Sequence, residues 1–160
     1  MCCTNDVTTC ATLLDRAVAL APNLAIAWNF SGWIRIYLGE AEVAIEHLER
    51  AIRLDPLNPF LYNSHNAVAA AYFLAGRYEI AAQWAEKALH ELPRYLPAIR
   101  IAAASYALSG QIDRAQTYVG QMLEIDPSLR ASNLKGIVPF RQMTDASRYV
   151  DGLRKAGLPE

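Results

Sequence analysis

Residues able to act as nucleophiles or metal ligands are few in this chain, and their spacing is wrong for either task. Cys2, Cys3 and Cys10 crowd the N-terminus, while His47, His65 and His90 are scattered through the middle. Structural zinc asks for four ligands in paired short spacings. Here there is no C-x2-C, no histidine near the cysteines, and no H-E-x-x-H to put two imidazoles on one helix face. Three cysteines also exclude a fully paired disulfide framework and fit reduced thiols. Cys10 reads as a small residue at its repeat position, and Cys2 and Cys3 read as free thiols. Hydrolysis or metal chemistry through Cys and His is the remote alternative. The carboxylates are no more suggestive. Glu42, Glu46 and Glu49 accompany Arg50 and Arg53, and Glu79 and Glu86 accompany Lys87. At spacings of three and four these are neighbours on a helix surface, each pair worth about 0.2–0.5 kcal/mol, and they read as a solvated face. Neither a glycine-rich phosphate loop nor a nucleophile elbow occurs. The expectation is no catalytic residue, no metal and no cofactor.

Composition narrows the partners. The chain has 160 residues, 53% of them hydrophobic, and its 15 basic and 16 acidic residues leave a formal net charge of −1. That balance gives no long-range attraction for phosphate backbones, so nucleic acid is not an expected partner. No apolar run approaches the roughly 18 residues of a membrane span. Asp6, Asp15 and Arg16 break up the N-terminal segment where a signal sequence would need an apolar stretch. A cytoplasmic protein without a membrane partner is expected.

What must position any functional residue is a pattern that returns about every 34 residues. Trp28 to Pro56, His65 to Pro93 and Ile99 to Pro127 align in register. Each has a small residue four positions after its first anchor (Gly32, Ala69, Ala103), then a turn glycine (Gly39, Gly76, Gly110). Five residues after that glycine comes an alanine (Ala44, Ala81, Ala115), and seven further on Ala51, Ala88 or Met122. Small side chains let two helices approach closely, glycine permits the tight turn between them, and the proline marks a helix already ended.

This arrangement resembles the tetratricopeptide repeat, whose helix pairs run W-x2-L-G-x2-Y, A-x3-F and P. The resemblance implies an all-α fold, a right-handed α-solenoid of antiparallel helix pairs, with units at 25–58, 62–95 and 96–129. Pro59, Phe60 and Leu61 form an insertion between the first two units. The leucine position holds Ser31, Val68 and Ala102, and the tyrosine position holds Arg35, Tyr72 and Tyr106. Residues 1–24 continue the register backwards through Cys10, Leu14, Ala17 and Pro22 as a second helix with no first helix before it, which reads as half a repeat in a fragment of a longer protein. Because a repeat buries its apolar face on its neighbours, an open end needs a cap. At the other end, 130–160 reads as a capping segment: a helix within Ser128–Gly136 stopped by Pro139, then a helix capped at Thr144 that lays Tyr149, Val150 and Leu153 on the last repeat. Asp151, Arg154 and Lys155 would face water.

In the family this chain resembles, first helices line a concave groove that binds protein segments. By that resemblance Asn29, Trp33 and Tyr37 face the groove from the first unit, Asn63, Asn66, Phe73 and Leu74 from the second, and Arg100 from the third. The asparagines and Arg100 could hydrogen-bond a peptide backbone or a carboxylate, while the aromatics and Leu74 make an apolar wall, with Trp33 the leading anchor. Trp28 is expected in the core. The positions that carry a cationic clamp for acidic chaperone tails in one subclass are Asn29, Trp33, Ser64, Pro97 and Ile101, none of them a cation. The C-terminal run, including Ile125-Asp-Pro-Ser-Leu and Gly152-Leu-Arg-Lys-Ala-Gly-Leu-Pro-Glu160, is also similar to the tail of bacterial multidomain regulators of the class III adenylate cyclase type. That resemblance implies a scaffold or signalling module whose partner is a peptide or a neighbouring cyclase-like or transcription-type domain. The alternative is self-association through the uncovered end near Cys10 to Leu20.

Overall fold

The structure is a computed structural model and describes residues 4–136 and 140–160. Cys2, Cys3 and Pro139 lie outside the described residues. Among the described residues, eight α-helices and one 3-10 segment make up the regular structure: α1 (Thr4–Leu20), α2 (Ala25–Leu38), α3 (Ala41–Leu54), α4 (Leu61–Leu74), α5 (Tyr78–Glu91), α6 (Leu96–Leu108), α7 (Ile112–Ile125), the 3-10 segment (Ala131–Gly136) and α8 (Met143–Lys155). Among the described residues there is no strand. The expected helix within Ser128–Gly136 is therefore a short 3-10 segment. Thr144 is not the N-cap of α8, which starts one residue earlier behind Gln142 and has no side-chain cap bond.

The pairs α2–α3, α4–α5 and α6–α7 are joined by the same turn. Gly39 has φ +85°, and the next amide, that of Glu40, donates back to the Arg35 carbonyl at 2.9 Å. Arg77 to Tyr72 and Gln111 to Tyr106 repeat the bond after Gly76 and Gly110. This is the left-handed helix ending that glycine accepts without steric cost. Each second helix then ends two residues before its proline, with one non-helical residue between.

The small residues lie where the helices cross. Ala44, Ala69, Ala81, Ala103 and Ala115 are fully buried. At Gly32 there is no room for a Cβ, because the buried Leu48 side chain already fills that space. Repeats are also tied to one another at one fixed register. The Tyr72 hydroxyl donates to Glu49 at 3.1 Å and the Tyr106 hydroxyl to Glu86 at 2.7 Å, each reaching back to the preceding second helix. Arg35, at the same position one unit earlier, reaches back to Asp15 of α1 with two bonds of 2.6 and 2.7 Å. Replacing tyrosine by arginine there keeps the tether, and α1 stacks on α2 in the manner of a second helix.

First helices also touch each other, α4 packing on both α2 and α6, whereas no comparable packing joins α3, α5 and α7. The first helices therefore lie on the inner side of the curve. The last helix, α8, does pack on α6, but along this inner face. Gln142 reaches the Leu38 carbonyl at the end of α2 at 3.5 Å. Arg148 donates to the Leu74 carbonyl at the end of α4 at 3.0 Å. Gly152 sits on Ala104 of α6, where a Cβ would lie 3.1 Å from the backbone oxygen. Tyr149 and Leu153 are buried beneath it, and Asp151, Arg154 and Lys155 are exposed. Helix α8 thus crosses the ends of all three first helices.

Gly32→Ala is expected to lower unfolding free energy by about 1–3 kcal/mol, the cost of overpacking a filled crossing. Urea melts of the two proteins check it; equal midpoints would mean that α2 and α3 are not packed this closely.

Candidate functional site: the inner groove

Helices α2, α4 and α6 present their inner faces, and α8 fills the α6 side of the space between them. Toward α2 a hollow of about 410 Å³ is left, lined among others by Ile26, Asn29, Phe30, Trp33, Phe60 and Asn63. Ile26, Phe30 and Phe60 keep more than half of their surface in solvent. The polar groups beneath them are already organised. Asn29 donates to the Ser64 hydroxyl at 2.5 Å, the Trp33 indole N–H donates to Asn63 Oδ1 at 3.2 Å, and Asn63 Nδ2 donates to the Tyr95 hydroxyl at 3.2 Å. The last two bonds link α2 to α4, and α4 to the residue that precedes α6. They hold the Trp33 ring in place, as a binding face must be held if a ligand is not to bear the ordering cost.

A smaller hollow of about 170 Å³ continues inward past Trp33 and Asn63 and ends between Asn66, Tyr95, Arg100 and Tyr149. Burial pushes the Tyr149 phenol up to about 12 and raises Tyr95 as well, so both stay protonated donors at neutral pH.

Of the eight residues expected at the groove, Asn29, Trp33 and Asn63 meet at the larger hollow, and Asn66 and Arg100 meet at the smaller one. Tyr37 is exposed near the end of α2 and lines neither. Phe73 and Leu74 require correction. Phe73 is 0% exposed, stacked on Phe140 at 5.6 Å and meeting Tyr149 edge-on at 5.5 Å, and Leu74 is buried. Their register is inward as expected, but the chain's own C-terminal segment covers them, so they form core and not an open wall. Trp28 is also corrected: it is half-buried against His47 and Arg50 of α3, its indole N–H donating to the Pro22 carbonyl and the Arg50 guanidinium 4.4 Å over its ring. Phe30, Phe60, Tyr95 and Tyr149 were missed. Phe60 had a signal, since it sits in the insertion that breaks the repeat spacing.

The histidines take no part in the groove. His47 meets the Ser31 hydroxyl at 2.9 Å, and His65 lies against Trp84 with Glu91 3.0 Å from Nδ1. Burial, and for His47 the charge of Arg35, lowers both pKa values; Glu91 only partly offsets the effect at His65. Among the described residues no group of three His, Cys, Asp or Glu side chains could hold a metal ion, and no helix is long and apolar enough to cross a membrane.

Residues 25–56 match the family model of the tetratricopeptide repeat. Solved structures share the fold over most of the chain. MamA superposes with TM-score 0.69 at 16% identity, covering 91% of this chain and 84% of that one. The fold is a tetratricopeptide-repeat solenoid. YrrB, described as a tetratricopeptide-repeat protein with an unusual peptide-binding site, gives 0.66 at 18% identity over 95% of this chain and 77% of its own. The first such domain of Spaghetti (RPAP3), bound to the HSP90 peptide SRMEEVD, gives 0.63 at 19% identity over 83% of this chain and 90% of its own. No curated protein matches the chain by sequence. In this solenoid the inner groove is part filled from within.

Two measurements check the site. Phe73→Ala should cost about 3–5 kcal/mol in a urea melt, as for a core aromatic; an open groove wall would lose little. By NMR titration His47 and His65 should both protonate below the usual value of about 6.5. Since the folded pKa values are depressed, the stability they contribute is present above that pH and lost as pH falls through the folded values. A histidine titrating at or above 6.5 would contradict the burial.

Proposed function

We propose that this chain is a non-enzymatic interaction module that binds a peptide segment at the open, α2-side end of its groove. The observation that carries the reading is the larger hollow itself: solvent-exposed Ile26, Phe30 and Phe60 stand over the fixed hydrogen-bonding row of Asn29, Trp33 and Asn63. An apolar side chain fits the exposed rings, and a peptide backbone fits the asparagines. Rigid aromatic surface beside satisfied polar groups is the usual make-up of a binding hot spot. Asp55 also lines the hollow and no lysine or arginine does, so a run of acidic residues is disfavoured there and an apolar segment preferred. Peptide binding by YrrB and by the RPAP3 domain supports the reading. The ligand belongs to another protein or to a neighbouring domain, and the resemblance to cyclase-type regulators favours a cyclase-like or transcription-type domain.

A second reading is self-association through α1, because Leu13 and Leu20 are 56% and 83% exposed on a helix packed chiefly against α2. Light scattering separates the two: a mass that doubles with concentration and reverts on Leu20→Glu supports α1 pairing.

For the groove, peptides selected from a random phage-displayed library should carry a bulky apolar residue. They should bind Phe30→Ala or Trp33→Ala at least about tenfold more weakly, or ~1.4 kcal/mol. Tyr37→Ala should bind them as the parent does. Peptides that bind all four proteins alike would place the site elsewhere.

A further inference from the structure

Arg100 is a cation without a counter-charge. It projects from the inner face of α6, is 8% exposed, and makes no hydrogen bond or ion pair among the described residues. Its Nε is fully buried and unpartnered, and so is the Oδ1 of Asn66, itself 3% exposed. Arg35 and Arg148 also leave a buried Nε unpartnered, but their other nitrogens are matched: Arg35 has Asp15 and Glu40, and Arg148 has Asp145 and the Leu74 carbonyl. Nothing comparable faces Arg100. The hollow it lines contains Trp33, Asn63, Tyr95 and Tyr149 but no aspartate or glutamate. Arg100 of α6 and Tyr149 of α8 line the same hollow, together with Tyr95.

Such an arrangement is unfavourable as a purely structural device. Removing a charge from water costs several kcal/mol unless a partner compensates, and buried charges in folded proteins are paired as a rule. An apolar residue of similar length would serve packing better. A guanidinium also presents two parallel N–H groups that match one carboxylate. The Tyr95 hydroxyl accepts from Asn63 and keeps its own proton to donate. The hollow is about 170 Å³ and opens beside Trp33 and Asn63, which it shares with the larger one.

We infer that Arg100 is the centre of a carboxylate-binding site, with Tyr95 the second donor, that takes one carboxylate of the peptide seated in the neighbouring hollow. The inference rests on the groove reading for its biological ligand, and it specifies that ligand: an apolar side chain followed by a carboxylate, either the chain terminus or an aspartate or glutamate side chain. It differs from the clamp for acidic chaperone tails, whose positions here hold no cation.

The test uses small probes, so it does not depend on the peptide. The Nε–H signal of Arg100 is followed by NMR at fixed salt while three compounds are added: N-acetyl-leucine, whose carboxylate is terminal; N-acetyl-aspartyl amide, whose carboxylate is on the side chain; and neutral N-acetyl-leucinamide. A saturable shift with either carboxylate and none with the amide is expected, and the tighter of the two identifies the source. Arg100→Met should abolish binding while raising Tm by about 2–4 °C, because an uncompensated charge is removed. Arg100→Lys should bind roughly tenfold more weakly, keeping charge but losing the fork. Equal shifts with the amide, no shift with either carboxylate, or a lower Tm for Arg100→Met would each overturn the inference. The groove reading would stand in all three cases, since it is read from Phe30 and Trp33.

Discussion

The distance at which two helix backbones can cross sets everything else in this molecule. Gly32, Ala69 and Ala103 bring no more than a methyl group to the helix packing, and at Gly32 the space so freed is taken by Leu48. Close crossing fixes the pitch of each helix pair, pitch fixes how the next pair stacks, and stacking makes the inner face on which Trp33, Asn63 and Tyr95 line up. A looser crossing would move Asn63 relative to both of its partners, since the two bonds it makes come from different units.

Much of this was legible because the information is local and periodic. The turn glycines, the alanines at fixed offsets and the closing prolines each act within a few residues, so counting along the chain recovers them. One departure from the pattern is not a defect: arginine where the repeat has tyrosine. Arg35 and Asp15 stand in the same relation as Tyr72 and Glu49, or Tyr106 and Glu86. The chemistry of the tether changed and its geometry did not, and a reading that matched residue types alone saw only a departure.

The site was legible in register and not in exposure. Phe73, Leu74, Asn66 and Arg100 are all buried, Phe73 and Leu74 under the C-terminal segment and Asn66 and Arg100 around the smaller hollow beside Tyr149. No periodicity governs α8, so its landing place depends on long-range contacts: Phe140 and Tyr149 on Phe73, and Gly152 on Ala104. Its apolar face announces that something is covered without saying what. Phe30 and Phe60 escaped notice for the converse reason, being apolar residues that the fold leaves in water.

A stack of helix pairs is elastic, since each unit contacts only its neighbours and small rotations add along the axis. Helix α8 alters that mechanics. By bonding to the ends of α2 and α4 while packing on α6, it works as a cross-brace over three units. Bending that widens the inner side would stretch the Gln142 and Arg148 contacts together, so the brace opposes the opening of a stack otherwise free to flex.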